Sequence, residues 1–355
     1  VRKKVEGFVP AFGLRSFHTQ SLLSSSPLRK RVVWRRSEAL RAVQQPLLLD
    51  GGDGVRLEGY LSAQPAGRGP SHGLVVLLHG WEGSVNSNYI LSNGAGLYAA
   101  GFDVFRLNFR DHGDTHHLNP GIFHSCRIDE VVNALSDLQA KLQPEPQPDP
   151  WLLAGFSLGG NFALRVALQA GAAGLRLGKV VGICPVIDPA KALQAMENGS
   201  WFYERYFDRK WTRSLAIKRQ CFPELYAEDD WSKLRSIRER THYLATRYAG
   251  YESDKQYYEG YSIAGDRLAG LQVPATLLTS ADDPVVPVED FAALPDLPSL
   301  EILVSPYGGH CGFLRNWQFD SMADELILQL AEDLQADREH PAVPPLVNPT
   351  SIQWA

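Results

Sequence analysis

Short apolar runs alternating with stretches of helical periodicity constrain this chain more than any other feature. The runs fall at 74–78, 103–109, 151–156, 179–184, 275–280 and 300–304, and helix-like patterns occupy 128–142, 158–170 and 321–336. A strand that is apolar on both sides must be covered on both faces, and parallel strands need crossover connections, which the helices supply. The pattern therefore predicts an α/β protein with a mostly parallel sheet between two helical layers. Ahead of it, 46–50 and 55–61 read as a hairpin joined by Gly51-Gly52-Asp53-Gly54.

The rhythm breaks between 186 and 268, which is helix-like and rich in aromatic and charged residues, and reads as an inserted cap. The expected organisation is a basic, weakly patterned arm over 1–44, a core in two parts over 45–185 and 269–338 around the cap, and a tail over 339–355. The prolines at 341, 344, 345 and 349 bar a regular helix there, so the tail is expected to be an extended strap or disordered. With 44% hydrophobic and 21% charged residues the composition is that of a soluble globular protein, and no apolar run approaches the ~20 residues of a membrane-spanning helix. Glu6, Pro10, Arg15 and His18 interrupt the stretch a signal peptide would need. Cys126, Cys184, Cys221 and Cys311 lack C-x-x-C spacing and read as free thiols, which points to the cytoplasm. A net charge of −5 without a basic run gives no reason to expect a nucleic-acid partner.

Gly155-Phe156-Ser157-Leu158-Gly159 stands directly after one apolar run and directly before a helix-like one. A G-x-S-x-G in that setting is a strand-to-helix turn whose small flanking residues let the backbone pass closely and lift the serine hydroxyl above the sheet. Serine is a poor nucleophile at neutral pH unless a histidine takes its proton and a carboxylate orients that histidine. Asp282-Asp283 follow the run at 275–280, and His310 follows the run at 300–304 within Gly308-Gly309-His310-Cys311-Gly312. Serine, acid and histidine thus lie in the expected chain order, each at the C-terminal end of a strand, where open α/β sheets gather their sites. Of the two aspartates, Asp283 is expected to carry the role. Pro284 biases it toward extended backbone, successive residues there point to opposite sides, and Asp282 is left to cap the turn.

Acyl transfer also requires donors aimed at the developing oxyanion, and the backbone N–H groups of Trp81 and Leu158 are the candidates, Trp81 within the loop His79-Gly80-Trp81-Glu82-Gly83-Ser84. Asp111, His112, Asp114, His116, His117 and His124 crowd after the run at 103–109, but their spacing fits no H-x-x-x-H pair with a third ligand. They are read as loop braces or substrate contacts, with no metal expected. In the cap, Trp201, Phe202, Tyr203, Tyr206, Phe207 and Trp211 form a dense aromatic stretch, of which Trp201, Phe202, Tyr206 and Trp211 are the candidates for an acyl-binding wall.

With these residues in place the chain resembles the YheT-like family of α/β hydrolases over most of its length. The likeness lies in Phe8, Pro10, Leu14-Arg15 and His18-Thr19-Gln20-Ser21 of the arm, in Asp50 to Gly54, and in the loop His79 to Ser84. Asn108-Phe109-Arg110, Tyr257-Tyr258, Asp282-Asp283-Pro284 and Gly308-Gly309-His310 extend it. Asp111-His112-Gly113-Asp114 stands where the family usually has glycine and a small residue, and Cys311 where an aliphatic residue is common. The resemblance implies a serine esterase or lipase-like hydrolase, with relatives acting on acyl esters and some on phospholipids.

The expected function is therefore hydrolysis of a small-molecule carboxylic ester through an acyl enzyme, with no cofactor. Thioester, amide, lactone or phospholipid cleavage on the same three residues is the alternative within enzymes, and a non-catalytic binding protein on a hydrolase scaffold is the alternative outside them.

Overall fold

The computed structural model describes residues 1–67, 69–142, 149–199 and 201–339; the side chains of Trp201 and Phe202 lie outside the described residues, as does the tail from His340. Nine strands form one sheet: β1 (Arg2–Lys4), β2 (Gln45–Asp50), β3 (Arg56–Ser62), β4 (Leu74–Leu78), β5 (Asp103–Leu107), β6 (Trp151–Phe156), β7 (Leu177–Ile183), β8 (Ala275–Ser280) and β9 (Leu300–Ser305). Their order is β1-β9-β8-β7-β6-β4-β5-β3-β2. Among the described residues, the β2–β3 and β3–β5 pairs of this sheet are antiparallel and the other strand pairs parallel.

Strand β4 shows why the sheet needs two covering layers. Leu74, Val76 and Leu78 pack into one apolar cluster with Val131, Leu135 and Phe162, while Val75 and Leu77 pack into the other with Ile90, Leu97 and Ile327. Alternate side chains thus enter opposite faces. The helices Ile128–Leu142 and Leu158–Ala173 cover the first face, and Asn88–Ala99 and Met322–Glu339 cover the second. After β5 the chain crosses β4 to continue with β6, so the strand order reverses between β4 and β6. Loops leaving the C-terminal ends of strands flanking such a switch point open a crevice.

The arm of residues 1–44, weakly patterned in sequence, is ordered: β1 pairs with β9, and the helices Phe17–Ser24, Pro27–Arg36 and Glu38–Ala42 follow. Their buried faces are largely polar, with Gln20, Ser21, Ser24 and Arg29 all nearly inaccessible, so no apolar stripe advertises them. The helix Asn88–Ala99 escapes sequence reading for a similar reason, since it buries Asn88, Asn93 and Gly94 beside its leucines. Strand β5 ends at Leu107, two residues short of the expected end. Between β7 and β8, the described residues of 186–268 form only α- and 3₁₀-helices.

Candidate active site

Ser157 sits between β6 and the helix Leu158–Ala173 with φ 53° and ψ −118°, a conformation that non-glycine residues seldom adopt. The turn is possible only because its flanks lack side chains. A Cβ on Gly155 would lie 2.1 Å from the Gly159 carbonyl oxygen, and one on Gly159 would lie 2.4 Å from the carbonyl oxygens of Leu78 and His79. That close approach presses the start of the 79–84 loop against the turn.

Three strand ends converge here. Ser157 Oγ donates to His310 Nε2 at 2.9 Å, and His310 Nδ1 donates to Asp283 Oδ2 at 2.9 Å. The Asp283 side chain is fully buried and also accepts from the backbone N–H groups of Val285 and Val286. Burial works against a charge on the His310 ring, and the Asp283 carboxylate outweighs it, so the imidazole binds a proton more tightly than an ordinary histidine. Asp282 points elsewhere. Its Oδ1 accepts from Gly309 N–H at 2.9 Å, so it braces the His310 loop rather than only capping its own turn.

The His310 loop is held from a direction the motifs alone did not assign. His310 N–H donates to Ser21 Oγ at 2.9 Å, and Gln20 is bonded to both the N–H and the C=O of Leu314. Ser280 Oγ donates to the Gly309 carbonyl from the other side. Gln20 and Ser21 belong to the His-Thr-Gln-Ser stretch of the arm, so the signal was present in the sequence while its purpose was not.

Trp81 and Leu158 line a cavity together with Ser157, and their backbone N–H groups have no hydrogen-bond partner among the described residues. The loop carrying Trp81 is fixed by two buried neutral histidines. His79 Nδ1 donates to Gly80 O and its Nε2 accepts from Phe109 N–H; His112 Nδ1 donates to Arg110 O and its Nε2 accepts from Glu82 N–H. Burial lowers His79 to about 4 and pushes His112 well below the ordinary range. His116 Nε2 lies 2.8 Å from Ser214 Oγ, His124 packs edge-on against Tyr251 and Tyr257, and His117 is exposed. Among the described residues these histidines and their neighbouring acids do not bring three ligand atoms together; Cys184, His310 and Cys311 do, within 4.8 Å, but the His310 nitrogens already face Ser157 and Asp283.

Two cavities meet at Ser157. One, the polar chamber, of about 390 Å³, is open and has mostly polar residues around it, His310, Lys30, Lys210 and Arg213 among them. The other, of about 100 Å³, is apolar and is walled by Leu158, Met196, Phe207, Trp211 and Tyr258. Trp81 stands between them, stacked on Phe207 at 5.4 Å and edge-on to Trp211 at 5.0 Å. Of the expected wall residues, Trp211 lines the apolar cavity and Tyr206 lines the polar one. Tyr203 is buried and bonds His18 of the arm, and Trp201 and Phe202 fall outside the described side chains.

Residues 73–316 match the family model for the alpha/beta hydrolase fold, more than half of the chain. The chain belongs to the α/β-hydrolase fold family. Among solved α/β structures, an esterase from Pyrococcus furiosus superposes with a TM-score of 0.53 at 17% identity, over 82% of this chain and 90% of that one. The alpha/beta hydrolase GrgF from a Penicillium species gives 0.51 at 18%, over 83% and 98%. An acylaminoacyl peptidase from Pyrococcus horikoshii gives 0.52 at 12%, over 82% of this α/β hydrolase and 41% of that chain. At such identities the likeness is one of fold. No curated protein sequence matches the chain. No helix among the described residues is long and apolar enough to cross a membrane.

Proposed function

We propose that this α/β hydrolase is a serine esterase that cleaves short-chain carboxylic esters, and that its finer kinship is with the YheT-like members of the fold. One observation carries the reading: the unbroken hydrogen-bonded series Ser157–His310–Asp283, beside the backbone N–H groups of Trp81 and Leu158, which have no partner among the described residues. His310 takes the Ser157 proton as Oγ attacks the ester carbonyl, and the N–H groups of Trp81 and Leu158 receive the oxyanion. His310 then returns the proton to the leaving alcohol. Water, deprotonated by the same imidazole, releases the acid and restores Ser157.

The cavities orient the substrate. The leaving oxygen must reach His310, which lines the polar chamber, so the alcohol lies there and the acyl chain enters the apolar chamber. An apolar cavity of roughly 150 Å³ holds one benzene ring, so about 100 Å³ suits an acyl group of about four carbons. The helical segment 186–268 serves in this reading as the cap that walls the acyl side.

Labelling with a fluorophosphonate, followed by a graded series of p-nitrophenyl esters, tests the proposal. The wild type should label and turn over butyryl esters best. Ser157→Ala, which deletes one oxygen, should lose both labelling and turnover while keeping the far-UV spectrum of the wild type. Near-normal turnover in that variant would overturn the assignment.

A further inference from the structure

The polar chamber is basic in a way that ester hydrolysis alone does not require. Lys210 and Arg213 lie three residues apart on the helix Trp201–Cys221 and so share a face, and both line the chamber. Lys30, on the arm helix Pro27–Arg36, lines it from another element. Among the described residues none of the three forms an ion pair. Lys210 donates to the Glu82 carbonyl oxygen at 3.2 Å and lies 4.7 Å from the centre of the Tyr206 ring.

The acids nearby do not cancel this charge. Asp111 is spent on the buried Lys218 Nζ at 2.7 Å. Against the opposing pull of Lys210, burial raises the Glu82 carboxyl to about 8, and the rise weakens it as a counter-charge near neutral pH. Asp114 is the remaining acid of the rim, and it stands close enough to Tyr60 and His116 to act on both. Ser84, Asn86 and Ser87 add neutral hydrogen-bonding groups to the lining, beside apolar residues such as Phe156, Phe207 and Ile217.

We infer that the substrate carries an anionic group, a phosphate or a carboxylate, on the alcohol side of the ester, and that Lys210, Arg213 and Lys30 select for it. The inference rests on the ester-hydrolase reading above and specifies its substrate class. The reaction balances without any further reactant: the acyl C–O bond breaks, water supplies hydroxyl to the acyl carbon and a proton to the alcohol oxygen, and the anionic alcohol departs with its charge unchanged. Cations at the chamber mouth also steer anionic substrates toward it in a salt-dependent manner.

Four butyryl esters differing only in the alcohol test this: glycerol 3-phosphate, glycolate, glycerol and choline. At low salt we expect kcat/KM for at least one anionic ester to exceed that for the glycerol ester by about tenfold or more, with the choline ester lowest, and the preference to shrink as salt is added. The larger anionic ratio identifies the group recognised. The double variant Lys210→Gln/Arg213→Gln should bring the anionic-to-neutral ratio close to one, whereas Lys210→Arg/Arg213→Lys should retain most of it. A wild-type ratio at or below one, or a ratio undiminished in the glutamine variant, overturns the inference. If neutral esters are turned over in a Ser157-dependent way without anionic preference, the inference fails and the hydrolase reading stands; if no ester is turned over in any arm, both fail.

Discussion

The C-terminal edge of the sheet and the helical segment 186–268 are built by different means. Of the loops that follow β4 to β9, five contain a non-glycine residue at positive φ: Glu82 after β4, Asp111 after β5, Ser157 after β6, Cys184 after β7 and Cys311 after β9. The described part of 186–268 contains none. Such conformations cost on the order of 1–3 kcal/mol each and persist only where the surroundings dictate them. The reacting groups are thus placed by backbone that has little freedom to move. The cap is ordinary helix, tied to the edge by side chains: Lys218 to Asp111, Lys210 to Glu82, and His116 beside Ser214. The contrast implies that chemistry resides in the edge and selectivity in the cap, so damage to the first should abolish turnover without altering preference, and damage to the second should do the reverse.

The largest effect is expected at the edge. Asp283→Asn removes the carboxylate that fixes the His310 tautomer and should lower kcat by about 10³ to 10⁴, with the relative rates on different acyl chains unchanged. Asp282→Asn should cost far less, because it loosens one backbone bond to Gly309 and leaves the imidazole with its partner. The pH profile separates the two. His310 must be neutral to accept the serine proton, and Asp283 raises its affinity for that proton against the opposing effect of burial. Wild-type activity should therefore fall as pH drops through an inflection above the ordinary histidine value of about 6.5. In Asp283→Asn that inflection should move down, and in Asp282→Asn it should stay. An Asp282 variant with the greater loss and the shifted inflection would exchange the two roles.

This edge was also the part most legible in the sequence, and the reason is physical. Strand β4, Leu-Val-Val-Leu-Leu, is buried on both sides and can be little else, and Ser157, Asp283 and His310 each follow a strand of the same sheet. The bracing by the arm was hidden, because Gln20 and Ser21 are buried through hydrogen bonds to the 309–314 loop, almost 300 residues away in sequence, and polar side chains leave no hydrophobic period. The segment 186–268 was legible as helical but not in its facing. Tyr206 and Trp211 are five residues apart on one helix and so point in different directions, one to the polar chamber and one to the apolar one, which composition cannot reveal.

The tie between the two regions gives the next effect. Lys218 is 1% exposed, and its ammonium bonds Asp111 at 2.7 Å together with the carbonyl oxygens of His116 and Asn119. Lys218→Met would leave the Asp111 carboxylate buried with Phe123 N–H as its remaining donor. Loss of one partner from a buried pair costs about 3–5 kcal/mol. Hydrogen exchange should show that cost in the helix Trp201–Cys221, while the helix Leu158–Ala173 behind Ser157 keeps its protection. Adding Asp111→Asn should recover part of the loss. Equal deprotection of both helices would mean that cap and edge unfold as one unit and that the division drawn above is wrong.

The smallest effect is the most selective. Trp211 stands between the apolar cavity of about 100 Å³, which the proposed function gives to the acyl chain, and a neighbouring cavity of about 30 Å³, and it lines both along with Phe123, Thr241 and Tyr257. Trp211→Ala removes the indole from that boundary and opens one chamber into the other. Each methylene taken out of water contributes about 0.8 kcal/mol, close to fourfold in a binding constant, so two more carbons accommodated should favour hexanoyl over butyryl esters by about fifteenfold relative to the wild type. The butyryl ester should itself react less well, since a short chain leaves part of the enlarged cavity unfilled. Tyr206→Ala is the matched control: its ring is 40% exposed and faces the polar chamber, so its loss should leave the chain-length profile where it was. Should Trp211→Ala keep the wild-type profile while remaining folded, the acyl chain does not run between Trp81 and the cap helix, and the assignment of the two chambers has to be reversed.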